Sequence, residues 1–276
     1  MNKTIHAILC VLLVAGQTMA SLAQASTAKA LVEEIATKAQ VVVFGEVHGT
    51  QEAPNTLQLV VRSYVQLGYK VNLAIEVPNQ GVASAVSYPL REPTSKFWTH
   101  GKDGRSSTSM LQLIRSIGTP DSRVANVIGF ADVVQSVDQI HLFDELAARR
   151  IADLCRPGDK KCRTVVLVGN AHSSLNGSSS IPSKLEKLGN QTYVVNFVHD
   201  GGAAWVCISG RCGATPIANP PRDGACKTER IIYQDRRVAG VDAEFCLPTV
   251  TPSPPAKSNG SGSNLPQAKE YPPRPL

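Results

Sequence analysis

Two histidines occupy the same short motif in distant parts of the chain. An apolar run ends at Gly45 and His48 follows three residues later, and a second apolar run ends at Gly169 and is followed in the same way by His172. A glycine lets the chain leave a strand sharply, so the imidazole that follows can turn back over the edge of a sheet. Two imidazoles placed in this way could exchange protons with a substrate or bind a divalent metal.

Carboxylates accompany these histidines. Glu46 lies inside the first motif, and Glu76 directly follows the apolar run of residues 71–75. A carboxylate at the end of a buried strand is costly unless it is paired, so both are expected to face the imidazoles. Glu46, His48, Glu76 and His172 are therefore predicted as the catalytic residues. Such a cluster either binds a divalent metal such as Mn, Co or Zn or performs general acid and base catalysis, and the residues leave both readings open.

Three further polar residues are predicted to bind the substrate. Asn170, in the second motif, or Arg105 would polarise a carbonyl group under attack, and Asp132 follows the third predicted strand. Two of them have a structural alternative. Arg105 lies in a sequence typical of a turn before a helix, and an aspartate at a strand exit is a common helix cap.

The elements that must position these residues follow from the hydrophobic pattern. Short β-branched runs alternate with helix-length segments, which is typical of a largely parallel sheet with helical crossovers. The predicted strands are residues 41–44, 71–75, 124–128, 164–168 and 193–198. The fold class is thus α/β, a sheet flanked by helices with a disulfide-clipped C-terminal hairpin. Ligands of such sheets bind beyond the carboxyl ends of the strands, and residues 77–108 are predicted to form a long loop over that site.

The two ends of the chain are predicted to lie outside the folded domain. Residues 1–25 have the features of a secretory signal peptide, namely Lys3, an apolar run too short to cross a bilayer and an Ala-Gln-Ala cleavage sequence. Residues 248–276 are rich in proline and poor in large apolar side chains, which predicts a disordered tail. A single α/β domain would span residues 26–247 of a protein that is exported, periplasmic or secreted, and not stably inserted in a membrane.

The cysteines favour disulfide bonds. The predicted signal peptide contains Cys10, one of the seven cysteines, and an even number then remains. An even number in an exported chain is typical of disulfides, and no Cys-x-x-Cys spacing supports a metal site. Proximity in the sequence predicts the pairs Cys155–Cys162, Cys207–Cys212 and Cys226–Cys246.

The net charge of +6 does not define a partner. Aromatic residues are too scarce to alternate with basic side chains, as single-stranded nucleic-acid binding requires, so nucleic acid is not an expected partner. Cations clustered between Arg149 and Arg163 lie at the C-terminus of a predicted helix and in the loop that follows it. They are interpreted as a solvated surface that the helix dipole stabilises, in preference to a contact for anionic lipid.

The motifs together resemble a known superfamily. Residues 45–50 (Gly-Glu-Val-His-Gly-Thr), Glu76 and residues 169–172 (Gly-Asn-Ala-His) are similar to the pattern of the Tiki, TraB and ChaN-like proteins, a group that includes the erythromycin esterases. The resemblance spans residues 41–198. It implies an α/β core with the site at the strand ends. The activities that it implies range from metal-dependent proteolysis in Tiki proteins, through lactone hydrolysis without an obligatory metal, to haem binding in the ChaN branch.

The leading hypothesis is an exported hydrolase that acts on a peptide or an ester through the cluster of glutamates and histidines. The alternative is a protein that binds haem or another small ligand in the same crevice, and a third reading is a binding protein that has lost catalysis. In the first reading His48 and Glu46 ligate a metal or activate water, and Glu76 and His172 complete the ligand set or supply the base.

Overall fold

The computed structural model describes residues 23–87, 92–156, 158–176, 179–217 and 226–256. Nine strands are present in these residues. In chain order they are β1 (Val41–Glu46), β2 (Lys70–Ile75), β3 (Val124–Gly129), β4 (Cys162–Gly169), β5 (Thr192–His199), β6 (Ala203–Ile208), β7 (Arg211–Pro216), β8 (Arg230–Tyr233) and β9 (Ala243–Leu247). All five predicted strands are among them.

The helices lie between and around these strands. They are α1 (23–35), α2 (Glu52–Gln66), α3 (Asn79–Ser87), α4 (Lys96–His100), α5 (Thr108–Ile117), α6 (Phe143–Ala152), α7 (Ile181–Lys187) and α8 (Arg236–Ala239). No helix in the described ranges is long and apolar enough to cross a bilayer.

The main sheet has seven strands in the order β3-β2-β4-β1-β5-β9-β8, and β6 pairs with β7 in a separate hairpin. Every neighbouring pair in the main sheet is parallel except β8 and β9. This confirms the predicted α/β class with a largely parallel sheet. Strand β4 lies between β2 and β1, so the carboxyl ends of these three strands are adjacent.

The central strands are buried on both faces. In β1, Val42 and Phe44 pack into a core with helices α1, α2 and α5, whereas Val41 and Val43 pack into a second core with α6 and α7. A strand covered on both faces is apolar at most positions, which explains the continuous apolar run seen in the sequence. Complete burial of each valine contributes about 1.5–3 kcal/mol relative to an exposed side chain.

The three predicted disulfides are all present. They are Cys155–Cys162, Cys207–Cys212 and Cys226–Cys246. The second joins directly opposite residues of β6 and β7, which makes these strands the predicted disulfide-clipped hairpin. The third ties the segment before β8 to the buried strand β9.

The prediction of a long loop at residues 77–108 is wrong, because this segment contains α3 and α4. Ser95 caps α4 by accepting a hydrogen bond from the backbone N–H of Phe97. Trp98 is fully buried, and its indole N–H donates to the carbonyl of Gly81, 2.8 Å away. Trp98 therefore packs α4 against α3 in a segment whose proline, glycine and serine content indicated a loop.

The chain ends differ from the predicted boundaries. Residues 1–22 of the predicted signal peptide lie outside the described residues, and residues 23–25 begin α1. Residues 248–256, here called the C-terminal strap, are held against the domain: the N–H of Ser253 donates to the carbonyl of Gly49 (2.7 Å), and the N–H of Ala256 donates to that of Ser106 (2.9 Å). The predicted start of the tail at residue 248 is therefore too early, and residues 257–276 lie outside the described part of the chain.

Candidate active site

The first motif and Glu76 meet at the carboxyl edge of the sheet. Glu46 is the last residue of β1, and Glu76 follows β2 directly. The imidazole of His48 lies between the two carboxylates, with Nδ1 2.9 Å from Oε1 of Glu46 and Nε2 3.3 Å from Oε2 of Glu76. Both glutamates are buried, whereas 26% of the His48 side chain is exposed. The histidine is therefore the member of this trio that a ligand reaches first.

The two carboxylates keep His48 positively charged. Burial of the ring opposes the charged form, but the hydrogen bonds and the negative charges of Glu46 and Glu76 outweigh it and raise the pKa of His48 to about 10. Since carboxylates only accept hydrogen bonds, both ring nitrogens can donate at once only in the imidazolium form. His48 is thus a cation at neutral pH.

The two glutamates have different environments. Burial would raise the pKa of Glu76, but the hydrogen bond and charge of His48, the N–H of Gly169 and the charge of Arg105 together lower it to about 2. Burial raises the pKa of Glu46, against the opposing effect of His48, and its Oε2 has no hydrogen-bond partner among the described residues. Glu46 is therefore the weaker acid of the pair and the carboxylate more ready to take a proton from His48.

Arg105 joins this cluster from the turn before α5. Its Nη1 lies 3.3 Å from Oε1 of Glu76, and its Nη2 lies 2.8 Å from Oδ2 of Asp103. The backbone N–H of Arg105 also donates to Asp103, so the turn expected from the sequence is present as well. The turn approaches closely because Gly104 has no side chain: a Cβ there would lie 2.3 Å from the backbone nitrogen of Gly49.

The second motif contacts the first one. The N–H of Gly169 donates to Oε2 of Glu76 (2.9 Å), and a Cβ on Gly169 would lie 2.8 Å from Nε2 of His48. Three residues later, at the end of a 3₁₀ turn, lies His172. The charges of Glu76 and His48 both act on its pKa, so the two motifs share one electrostatic environment.

His172 has a carboxylate partner that the sequence analysis missed. Its Nδ1 lies 2.7 Å from Oδ1 of Asp144, in the first turn of α6, and its ring packs against that of Phe143 at a centroid distance of 5.0 Å. The hydrogen bond to Asp144 is the main cause of the raised pKa of His172. An acidic residue just after a strand-to-helix connection was the available signal, but the pattern also fits an ordinary charged residue at a helix start.

The strap and the hairpin hold the turn after His48. The carbonyl of Gly49 accepts hydrogen bonds from the N–H of Trp205 in β6 (2.9 Å) and from the N–H of Ser253 in the strap (2.7 Å). The strap also binds the turn of Arg105, through Ala256 and Ser106. Two late segments of the chain therefore fix the backbone next to the cluster.

The other two predicted substrate-binding residues, Asn170 and Asp132, form no ion pair or hydrogen bond with the cluster among the described residues. The side-chain oxygen of Asn170 is buried with no hydrogen-bond partner among the described residues, and a Cβ on Gly45 would lie 2.7 Å from it. Asp132 is engaged elsewhere, since its carboxylate accepts from Arg150 (2.8 Å) and from the backbone N–H of Asn79 (3.0 Å). These contacts tie Asp132 to α6 and α3 and not to the cluster.

The predicted metal site does not fit the arrangement of its donors. The described residues contain no group of three or more His, Cys, Asp and Glu side chains that could hold a metal ion. An imidazole ligand needs a free nitrogen lone pair, and both nitrogens of His48 are engaged by carboxylates, whereas His172 is engaged at Nδ1 by Asp144 and keeps Nε2. That Glu46, His48, Glu76 and His172 form one ligand set therefore stays a prediction, and His48 would have to leave its carboxylate partners to take part. The geometry is that of two carboxylate-paired imidazoles.

The fold and the side chains at the carboxyl edge of the sheet define an α/β protein with an acid–base cluster at the ends of its central strands. Neither a protein-family model nor a curated protein sequence matches the chain. Solved structures do match. Erythromycin esterase EreC in its open conformation superposes with a TM-score of 0.55 at 12% identity, over 83% of this chain and 95% of that chain.

Two further structures share the fold. A protein from Bacillus cereus superposes with a TM-score of 0.52 at 11% identity, over 81% of this chain and 92% of that chain. A succinoglycan biosynthesis protein superposes with a TM-score of 0.50 at 13% identity, over 81% of this chain and 91% of that chain. The chain therefore shares its fold with erythromycin esterase EreC and with these two proteins.

Proposed function

We propose that this protein is an exported hydrolase that cleaves an ester or a peptide bond with an activated water molecule. The observation that carries the proposal is the pair of imidazoles from matching motifs, each with its own carboxylate partner, at one edge of the sheet. The fold shared with a protein named as an esterase favours an ester as the substrate.

His172 is proposed as the general base. Because the carboxylate of Asp144 can only accept, Nδ1 of His172 carries a proton in this pair and Nε2 is the atom left to accept one. Nε2 makes no hydrogen bond within the described residues, and 32% of the side chain is exposed. A water molecule can therefore approach Nε2, lose its proton there and attack the carbonyl carbon.

His48 and Arg105 are proposed to stabilise the oxyanion. Both are cations at neutral pH and both are partly exposed, while the buried glutamates that hold them are not. Fixed positive charge next to a developing oxyanion lowers the barrier without any reorganisation during the reaction. As the tetrahedral intermediate collapses, the proton on Nε2 of His172 passes to the leaving group.

The proposed export has separate support. The three disulfides of the domain are typical of an oxidising compartment, and this agrees with the signal peptide predicted at residues 1–25.

The test is turnover by the purified protein on a panel of aryl esters, lactones and short peptides. We expect His172→Ala and His48→Gln each to lower kcat about 10²–10⁴-fold. His141→Ala is the matched control. His141 is an exposed histidine outside both motifs, so its replacement should leave kcat unchanged.

Two results would overturn the proposal. Turnover that survives in His172→Ala would show that His172 is not the general base. A Soret band that appears on titration with haem and is lost in His172→Ala, in a protein without turnover, would instead establish the haem-binding alternative.

A further inference from the structure

A large cleft lies at the amino ends of the strands, on the edge of the sheet opposite the candidate active site. Its volume is about 1360 Å³. Gln40 and Tyr69, which precede β1 and β2, form part of its wall, and the connection from α6 to β4 forms another part. The disulfide Cys155–Cys162 closes this connection. We call residues 155, 156 and 158–162 the cationic loop.

Five backbone carbonyl groups of the cationic loop accept hydrogen bonds from residues outside it. Their donors are the side chains of Gln40 and Arg163 and the backbone N–H of Lys70. The accepting oxygens belong to Arg156 and Asp159 (3.2 and 3.4 Å from Nε2 of Gln40), Lys160 and Cys162 (2.9 and 2.7 Å from Nη1 of Arg163) and Lys161 (2.8 Å from the nitrogen of Lys70). Each of these five carbonyl oxygens is therefore matched by a donor of the protein.

The side chains that the loop presents to the cleft are cations. Arg156, Lys160 and Lys161 are exposed, and none of them forms an ion pair with a carboxylate in the part of the chain that the structure describes. Asp159 is the acidic residue of the loop, and its side chain accepts a hydrogen bond from the backbone N–H of Lys161. The five cationic residues that line the cleft outnumber its two acidic ones.

The helix dipole does not account for these cations. It stabilises positive charge within the last helical turn, which here contains Arg149 and Arg150. Helix α6 ends at Ala152, so the cationic loop lies beyond the reach of that effect. The helix dipole can therefore act on Arg149 and Arg150, but not on the cations of the cationic loop.

We propose that this cleft binds phosphate groups. Lysine ammonium groups act as point charges for phosphate, and arginine adds directed hydrogen bonds to its oxygens. The source of the phosphate is either a phospholipid headgroup or a free phosphate ester. This site is independent of the proposed hydrolase site, and the opposite edge of the sheet stays open to substrate while the cleft is occupied.

The test compares two triple variants of the full chain that carry the same net charge. One is Arg156→Gln with Lys160→Gln and Lys161→Gln in the cationic loop. The other is Lys29→Gln with Arg211→Gln and Lys227→Gln, three exposed cations outside the cleft. Binding is measured with inorganic pyrophosphate by calorimetry, and by co-sedimentation with phosphatidylcholine vesicles that contain or lack phosphatidylglycerol.

We expect the cationic-loop variant to bind the phosphatidylglycerol vesicles about a hundredfold more weakly than the unaltered protein, at about fivefold for each cation removed. The control variant should keep most of the binding, and both variants should melt at the same temperature as the unaltered protein. If the protein binds the phosphatidylglycerol vesicles but not pyrophosphate, the cleft is a headgroup site. If it binds pyrophosphate about as tightly as it binds the vesicles, the cleft is a site for free phosphate. Equal losses in the two variants, or no binding of either probe by the unaltered protein, overturn the proposal.

Discussion

The Nδ1 atom of His172 lies 2.7 Å from the Oδ1 atom of Asp144, in a pair that joins the turn after β4 to the first turn of α6. A carboxylate in this position fixes the ring orientation and the tautomer of the imidazole, which leaves the opposite nitrogen to accept a proton. The proposed base thus depends on a residue that lies outside both histidine motifs.

Replacement of this carboxylate should impair turnover. Asp144→Asn is expected to lower kcat about 10²–10⁴-fold, because an amide can donate to Nδ1 and hold the wrong tautomer. It should also move the inflection of the kcat–pH profile down towards the ordinary pKa of histidine, since Asp144 is the main cause of the raised pKa of His172. Glu145→Gln removes the neighbouring acid, which pairs with Arg149 at the surface, and should change neither value. An unshifted profile in Asp144→Asn would contradict the assignment of His172 as the base.

Stability should fall on the alkaline side because of His48. The folded-state pKa of His48 is about 10, against 6.5 for the free group. Its pairing with the glutamates therefore contributes fully below pH 6.5 and is lost as the pH rises towards 10. Urea unfolding of the unaltered protein should show this decline, and His48→Gln, which has no charge to lose, should show a flatter one. Parallel curves for the two proteins would mean that the ring is neutral in the folded state.

Removal of divalent metals should leave turnover intact. Both ring nitrogens of His48 are occupied by carboxylates, so no metal is needed to orient the cluster. Dialysis against EDTA, with elemental analysis before and after, checks this. Loss of turnover that Mn, Co or Zn restores would show that the donors rearrange around an ion.

A methyl group at Gly104 should disturb the site. A Cβ there would lie 2.3 Å from the backbone nitrogen of Gly49, so the turns of Arg105 and His48 must separate. Gly104→Ala is expected to cost about 1–3 kcal/mol of unfolding free energy, as overpacking does elsewhere, and to lower kcat/KM. Gly213→Ala is the matched control, because a Cβ at that strand position meets nothing within 4 Å. Equal effects of the two substitutions would mean that the contact between the turns is unimportant.

The C-terminal strap should be required for full activity, and the residues after it should not. Truncation after Ala256 keeps the hydrogen bond from Ser253 to Gly49 and should preserve kcat/KM. Truncation after Leu247 removes that bond together with the contact between Ala256 and Ser106, and is expected to lower kcat/KM and the melting temperature. If the shorter chain fails to fold, Ser253→Pro removes the same N–H donor, together with the hydroxyl group that bonds to Ser109, and keeps the rest of the strap. Unchanged kinetics in this variant would show that the strap does not position the turn.

The sequence by itself determined the elements of the fold and part of the site. Apolar runs mark the central strands because burial on both faces leaves few positions for a polar side chain. The cluster of Glu46, His48 and Glu76 was predicted for a related reason: polar residues at the ends of such runs must fall at one edge of a parallel sheet. The cysteine pairs followed from short separations in the chain.

Only the tertiary structure decided the partners of these residues. Asp144 and His172, or Ser253 and Gly49, are far apart in the sequence and meet because of strand order and the path of the connections, which leave no local pattern. Asp132 carries the same strand-end signal as Glu76, yet Arg150 of α6 binds its carboxylate. Local sequence patterns indicate which residues are buried and which lie in turns. The pairing of charged groups depends instead on distances between residues that are set only when the chain has folded.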